Sequence, residues 1–149
     1  MAEITWSIHA LDELDRHRDG WASLNQAGWN TPVLDPSYVF TLAKDFAGER
    51  DVLAVAKNSK GLCAMTILSR GKAGAWHTFE GAGCPFGAWV SRPELTLPDL
   101  LPPLFAALPG IATVIALTRQ DPEIRPRLPD DRCVRSLDYI TTARIRVNG

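Results

Sequence analysis

The sequence predicts an α/β (α+β) domain with a mixed, mostly antiparallel central sheet flanked by helices. Three observations carry this reading. Between Asp51 and Ser69, two apolar runs are joined by Asn58-Ser59-Lys60-Gly61, which has the composition of a hairpin turn. Two stretches of helical apolar spacing precede that hairpin. Further on, Ile111 to Thr118 is nearly all apolar, as in a strand covered on both faces. Hairpins in the middle of the chain exclude a doubly wound, wholly parallel sheet.

Taken in order, Ile4, Trp6 and Ile8 alternate with polar residues, the period of a strand with one buried face. Leu11, Leu14, Trp21 and Leu24 then recur at helical spacing, weakened by Gly20 and ended by Gly28. Asp35-Pro36 opens a second helix as N-cap and first-turn proline, with Val39, Leu42, Ala43 and Phe46 as its apolar stripe and Gly48 as its stop. Asp51 to Lys57 and Leu62 to Ser69 form the hairpin. A glycine turn, Arg70 to Gly74, leads into a third strand, Ala75 to Glu80, which pairs antiparallel with the second. Gly81 to Leu95 reads as a loop. A helix follows from about Asp99 to Leu108, with Pro102 and Pro103 in its first turn, where N–H groups lack helical partners. Ile111 to Thr118 is expected beside Ala75–Glu80 in parallel. Gln120 to Arg132 is a proline-punctuated connection, and the chain closes with a short strand near Cys133 and a longer one from Tyr139 to Val147.

Length and composition fit one domain over residues 1–149. At this size roughly two-thirds of the unfolded surface is buried, so neither disulfides nor a metal is needed for stability. The net charge of −1 offers no electrostatic case for nucleic acid or an anionic membrane. From Ala75 onward there are eight Arg and no Lys, matched by eight acids, which reads as a solvated surface rather than a phosphate site. Cys63, Cys84 and Cys133 make neither a disulfide framework nor a CxxC metal pair, and suit a reducing cytoplasm. No apolar run has the length of a signal or a membrane span.

The order strand, two helices, three antiparallel strands, helix, strand and final strand pair is similar to that of the GNAT superfamily of acyl-CoA-dependent acyltransferases. One stretch narrows the resemblance. Trp21-Ala22-Ser23-Leu24, Asn30-Thr31-Pro32, Asp35-Pro36-Ser37-Tyr38 and Phe46, then the strand pair around Leu53 and Met65, resemble the N-terminal half of CelD-type acyltransferases. Those are linked to cellulose and exopolysaccharide biosynthesis and pair two GNAT-like halves. The likeness extends over residues 1 to about 120. It implies acetyl-CoA or another acyl-CoA as co-substrate, a small-molecule amine as acceptor, and no metal. It also implies a partner, a second GNAT-like domain or a second copy. The open edge of the final strand, Tyr139 to Val147, is the natural meeting surface, while Arg144 and Arg146 on it suit a monomer that keeps the edge solvated. Two features depart from the pattern. The expected Q/R-x-x-G-x-G/A turn is replaced by Glu80-Gly81-Ala82-Gly83-Cys84-Pro85-Phe86-Gly87, and the chain stops where a second half would begin.

Acyl transfer to an amine needs a base, N–H donors for the thioester oxygen, and a concave set of N–H groups for the pyrophosphate. Glu80, at a strand end beside the glycine turn, is the candidate base; its plain reading is an exposed strand-end acid. Tyr139 is the candidate donor to the leaving thiolate, and otherwise a strand tyrosine. Gly81, Ala82, Gly83 and Thr118 are the candidate acyl-CoA contacts, since glycines admit a close backbone approach; otherwise they form a plain turn and strand end. His77 reads as a half-buried histidine or a proton relay, Cys84 as a packed thiol or a nucleophile, and Trp89 as core or a pocket wall. His9 and His17 read as exposed. Two functions follow: an acyl-CoA N-acyltransferase or one half of one, and a non-catalytic module that packs against a partner acyltransferase domain. An intact N–H cradle after Glu80 favours the first, a blocked one the second.

Overall fold

The structure, a computed structural model, describes residues 3–81, 84–122 and 125–138. Trp6 anchors the first strand, β1 (Thr5–Ala10), and its side chain is buried while Thr5 and Ser7 face outward. The chain then winds through a 3-10 turn, Leu11–His17, directly into α1 (Arg18–Ala27), so the expected single helix is two helical segments. In α2 (Pro36–Phe46) the Asp35 carboxylate accepts the Ser37 N–H at 2.8 Å, as an N-cap should. Its buried face is Val39, Phe40 and Ala43, whereas Phe46 is 61 % exposed. Phe46 therefore leaves the predicted stripe. It is the last helical residue, before Ala47 turns extended.

The hairpin is β2 (Val52–Asn58) and β3 (Gly61–Arg70), with the Asn58 side chain accepting the Lys60 N–H at 2.8 Å in the turn. β4 (Ala75–Thr78) pairs antiparallel with β3, and β6 (Val114–Ala116) pairs in parallel with β4, as expected. One strand was not expected. β5 (Trp89–Ser91), inside the supposed loop from Gly81 to Leu95, pairs antiparallel with β3 as well. Among the described residues the sheet has six strands in the order β1-β2-β3-β4-β6, with β5 beside β3 in line with β4.

The sheet carries a core on each face. Leu53, Val55, Met65 and Ile67 meet Leu14, Trp21 and Phe40 on one side. Ala54, Ala64, Leu68 and Trp76 meet Leu100 and Leu104 of α3 (Leu97–Ala107) on the other. This two-sided alternation is the reason both hairpin strands read as continuous apolar runs. α3 begins two residues earlier than expected. Thr96 and Asp99 close a capping box over its first turn, which moves Pro102 and Pro103 into the body of the helix. The carbonyls of Pro98 and Asp99 lose their usual helical donors there, on a side of the helix where Pro98 and Pro102 are exposed. The Trp6 indole N–H donates to the Leu100 carbonyl at 3.0 Å and ties α3 to β1.

Two further expectations are corrected. Ile111 to Thr118 is not covered on both faces: Ile111 is 82 % and Val114 50 % exposed, and only Val114–Ala116 is strand. No strand forms near Cys133, because the Asp131 carboxylate accepts the N–H groups of both Cys133 and Val134 and bends the chain. The predicted strand Tyr139–Val147 lies outside the described residues. Among the described residues, no helix is long and apolar enough to cross a membrane.

Two fully buried tryptophans differ in one respect. The Trp21 indole N–H donates to the Leu34 carbonyl at 2.8 Å, while that of Trp76 has no hydrogen-bond partner. Both Trp→Phe changes remove volume, but only Trp21→Phe leaves a buried acceptor unsatisfied. Trp21→Phe should therefore cost about 1–2 kcal/mol more than Trp76→Phe in urea unfolding. Equal losses would contradict the assignment.

Candidate functional site

The parallel pair β4 and β6 points its C-terminal ends at the segment Phe79–Ala88. Of the sequence-predicted site residues, Glu80, Gly81 and Thr118 come together here; Ala82, Gly83 and Tyr139 lie outside the described residues. The ends of the two strands are bridged. Thr78 and Thr118 share a hydroxyl hydrogen bond of 2.6 Å, and the Thr118 N–H donates to Thr78 Oγ1 at 3.0 Å. Glu80 pairs with Arg119 at 3.2 Å, and Arg119 also donates to the Cys84 carbonyl at 2.5 Å. Gly87 fills the remaining space, since a Cβ there would overlap Thr78 Oγ1 and lie 2.5 Å from the Thr118 carbonyl oxygen. Gly81 is packed as closely on Leu42 of α2, 2.6 Å from where its Cβ would be.

Nor do the described N–H groups form a cradle. Cys84 N–H donates to Gly81, Ala88 N–H to Phe79 and Trp89 N–H to Gly87, all within the loop. Cys84 is buried with its thiol on the Phe86 carbonyl at 3.0 Å, in the arrangement of a packed thiol. His77 is exposed, with Nδ1 3.2 Å from the Thr78 carbonyl. The described residues of this strand end present no free N–H cradle.

A second place has the opposite character. α1 ends against β5, where a Cβ on Gly28 would sit 2.8 Å from the Ser91 carbonyl. Between Gly28-Trp29, the chain from Ser91 to Leu97, and Arg125 to Leu128 lies a cleft of about 290 Å³. Trp29, Leu95, Leu97 and Leu128 make much of its wall apolar. Arg125 enters it from the proline-flanked connection after β6. Its guanidinium lies 5.2 Å over the Trp89 ring, and Nη2 donates to Ser91 Oγ at 2.6 Å. Nη1 is buried and, among the described residues, has no hydrogen-bond partner. Burial pulls the guanidinium down to about 10, so it remains charged at neutral pH but poorly solvated.

The backbone entering α3 is already engaged around this cleft. Arg92 N–H donates to Cys63, Leu95 N–H to Arg92, and Thr96 N–H to the Asp99 carboxylate at 2.9 Å. Pro93 has none. Asp99 thus takes the first-turn position a phosphate would need, and its neighbours hold its carboxyl below the usual range through the Thr96 side chain and backbone. The cations in the cleft wall are Arg125 and Arg92, whose Nε donates to the Leu62 carbonyl at 2.8 Å.

Sequence reasoning missed Arg125 by grouping it with solvated arginines. The signal available was the exclusive use of Arg after Ala75, since Arg is the cation suited to buried, stacked positions. Trp89 is not a wall of a loop pocket but a fully buried strand residue beneath that guanidinium. Compared with protein-family models, with curated proteins and with solved structures, the chain matches none.

The crowding at the strand ends is directly testable. Gly87→Ala must push Thr78 and Thr118 apart, and both contacts involve atoms already hydrogen-bonded. Thermal and urea unfolding should show a loss of about 2–3 kcal/mol. A neutral Gly87→Ala would mean that the space between the strand ends is open.

Proposed function

We propose that the chain is a GNAT-like module of an acyl-CoA-dependent N-acyltransferase, one half of a paired architecture, that binds an anionic ligand and does not itself house the transfer chemistry. The observation that carries this reading is the largely buried Arg125 guanidinium in the wall of a mostly apolar cleft, its Nη1 without a hydrogen-bond partner among the described residues. An unpartnered buried guanidinium costs stability unless something pairs with it. Such a cost is the usual mark of a binding group. The cleft suits a ligand with one phosphate or carboxylate beside an apolar body. Its 290 Å³ takes an arm of an acyl-CoA rather than the whole molecule, as one half of a shared site would. A second GNAT-like domain, or a second copy of the chain, is the partner that the CelD-type resemblance implies for this half. The amine acceptor and the exopolysaccharide setting belong to the same reading.

One observation favours the catalytic alternative. Glu80 stands at the end of β4 beside Thr118 at the end of β6, the position a general base would need. Against it stand the Arg119 pairing of Glu80 and the bridge between Thr78 and Thr118.

The test is calorimetry of the chain with acetyl-CoA, inorganic pyrophosphate and hexanoate, repeated with Arg125→Met. Binding of at least one probe in the millimolar range or tighter is expected. Arg125→Met should weaken it at least tenfold while leaving the melting temperature unchanged or higher, because an unpaired buried charge is removed. Binding that survives Arg125→Met, or acetyl transfer by the chain alone that Glu80→Gln abolishes, would overturn the module reading in favour of the enzyme. Absence of heat with every probe would remove the ligand assignment.

A further inference from the structure

On the opposite flank of the fold, His9, Glu13 and His17 recur every four residues across the junction of β1 with the 3-10 turn. The junction brings all three side chains together, each half-buried, with one ligand atom apiece lying within 4.8 Å of the others. The His9 and His17 rings have centroids 4.8 Å apart.

Both ring nitrogens of His9 have a neighbour. Nε2 lies 2.9 Å from the Ser7 hydroxyl, which also reaches the Val55 carbonyl at 3.3 Å, and Nδ1 faces Glu13 Oε2 at 3.4 Å. In the tautomer with its proton on Nε2, donated to Ser7 Oγ, Nδ1 presents a lone pair on the side of the Glu13 carboxylate, as a metal ligand must. Arg16 approaches the same carboxylate oxygen at 3.4 Å, but its side chain is 79 % exposed and is free to swing into solvent.

We propose that His9 Nδ1, the Glu13 carboxylate and the His17 imidazole form a three-ligand site for a divalent transition metal, with zinc the best match. Two imidazoles and one carboxylate are the donor set of zinc rather than of magnesium or calcium, which take oxygen ligands. Tetrahedral zinc at its usual bond lengths holds ligand atoms roughly 3.3 Å apart, so binding draws the three ligand atoms together from their 4.8 Å spread. Ser7 is a positioning residue: it holds the His9 ring and selects the tautomer, as outer partners of metal-bound histidines do. Three protein ligands at a half-exposed site leave a fourth position for water or for a group from another molecule. The inference is independent of the Arg125 cleft.

The experiment uses the full, tag-free chain carrying Cys133→Ser, which removes the exposed thiol as a competing ligand. Zinc calorimetry near neutral pH should show one ion bound in the micromolar range or tighter, with a raised melting temperature. Glu13→Gln and His17→Gln should each weaken binding at least tenfold, and Ser7→Ala about tenfold. Circular dichroism should show each variant folded in the absence of metal. Cobalt(II) in place of zinc should give visible d–d absorption without a thiolate charge-transfer band. No zinc binding at millimolar concentration, or binding unchanged in the Glu13→Gln and His17→Gln variants, overturns the proposal; in that case His9 Nδ1 carries a proton and donates to Glu13.

Discussion

The arrangement of both candidate regions depends on the backbone of one residue, Ile67 in the middle of β3. Its carbonyl accepts the Phe79 N–H at 2.8 Å, and its own N–H donates to the Ala88 carbonyl at 3.0 Å. Phe79 and Ala88 are themselves joined, N–H of the second to carbonyl of the first, at 3.0 Å. A single position on β3 thus serves as the meeting point of two strands. β4 leaves the sheet there, β5 re-enters it in line, and the chain between them is extruded at the end of the β4–β6 pair. Buried backbone groups in a sheet must be paired, so the excursion is tolerated only because Phe79 and Ala88 close its neck.

The two ends of this device have different consequences. Among the described residues, Gly87, the Thr78–Thr118 bridge and the Glu80–Arg119 pair crowd the ends of the parallel strands. β5 continues past the neck and sets Trp89 and Ser91 under Arg125, where, among the same residues, one hydrogen bond and one ring face hold the guanidinium and its second nitrogen is left over. Crowding on one side and an unmet donor on the other are why binding, rather than transfer, is the reading best supported for this chain.

What the sequence made legible follows from local rules. Asn58 to Gly61 marks the hairpin because a tight turn needs those residues, and Asp35-Pro36 marks α2 because the cap and first turn do. The parallel neighbour of β4 was expected from the apolar run at Ile111, although that run proved exposed at Ile111 and Val114. β5 was hidden because three residues between Gly87 and Pro93 are too few for any period to register. The prolines of α3 misled for a physical reason: the carbonyls that lose a donor lie on an exposed helix side, which a first-turn rule does not foresee. Glu80 and Thr118 lie at the ends of neighbouring strands β4 and β6, but their partners Arg119 and Thr78 give them structural work that no local pattern reveals. The spacing of His9, Glu13 and His17 is visible by inspection. Their convergence is not, because it needs β1 to run straight into a 3-10 turn.

The central claim is that the ligand site lies in the Arg125 cleft and not between the ends of β4 and β6. Nitrogen-edited NMR during titration with acetyl-CoA measures both places at once. The Trp89 indole N–H, which donates to Ser91 Oγ at 3.3 Å, reports on Arg125, and the Thr118 amide reports on the strand ends. The account predicts that the Trp89 indole signal moves with ligand while the Thr118 amide stays in place. Movement of the Thr118 amide with a stationary Trp89 indole would contradict it.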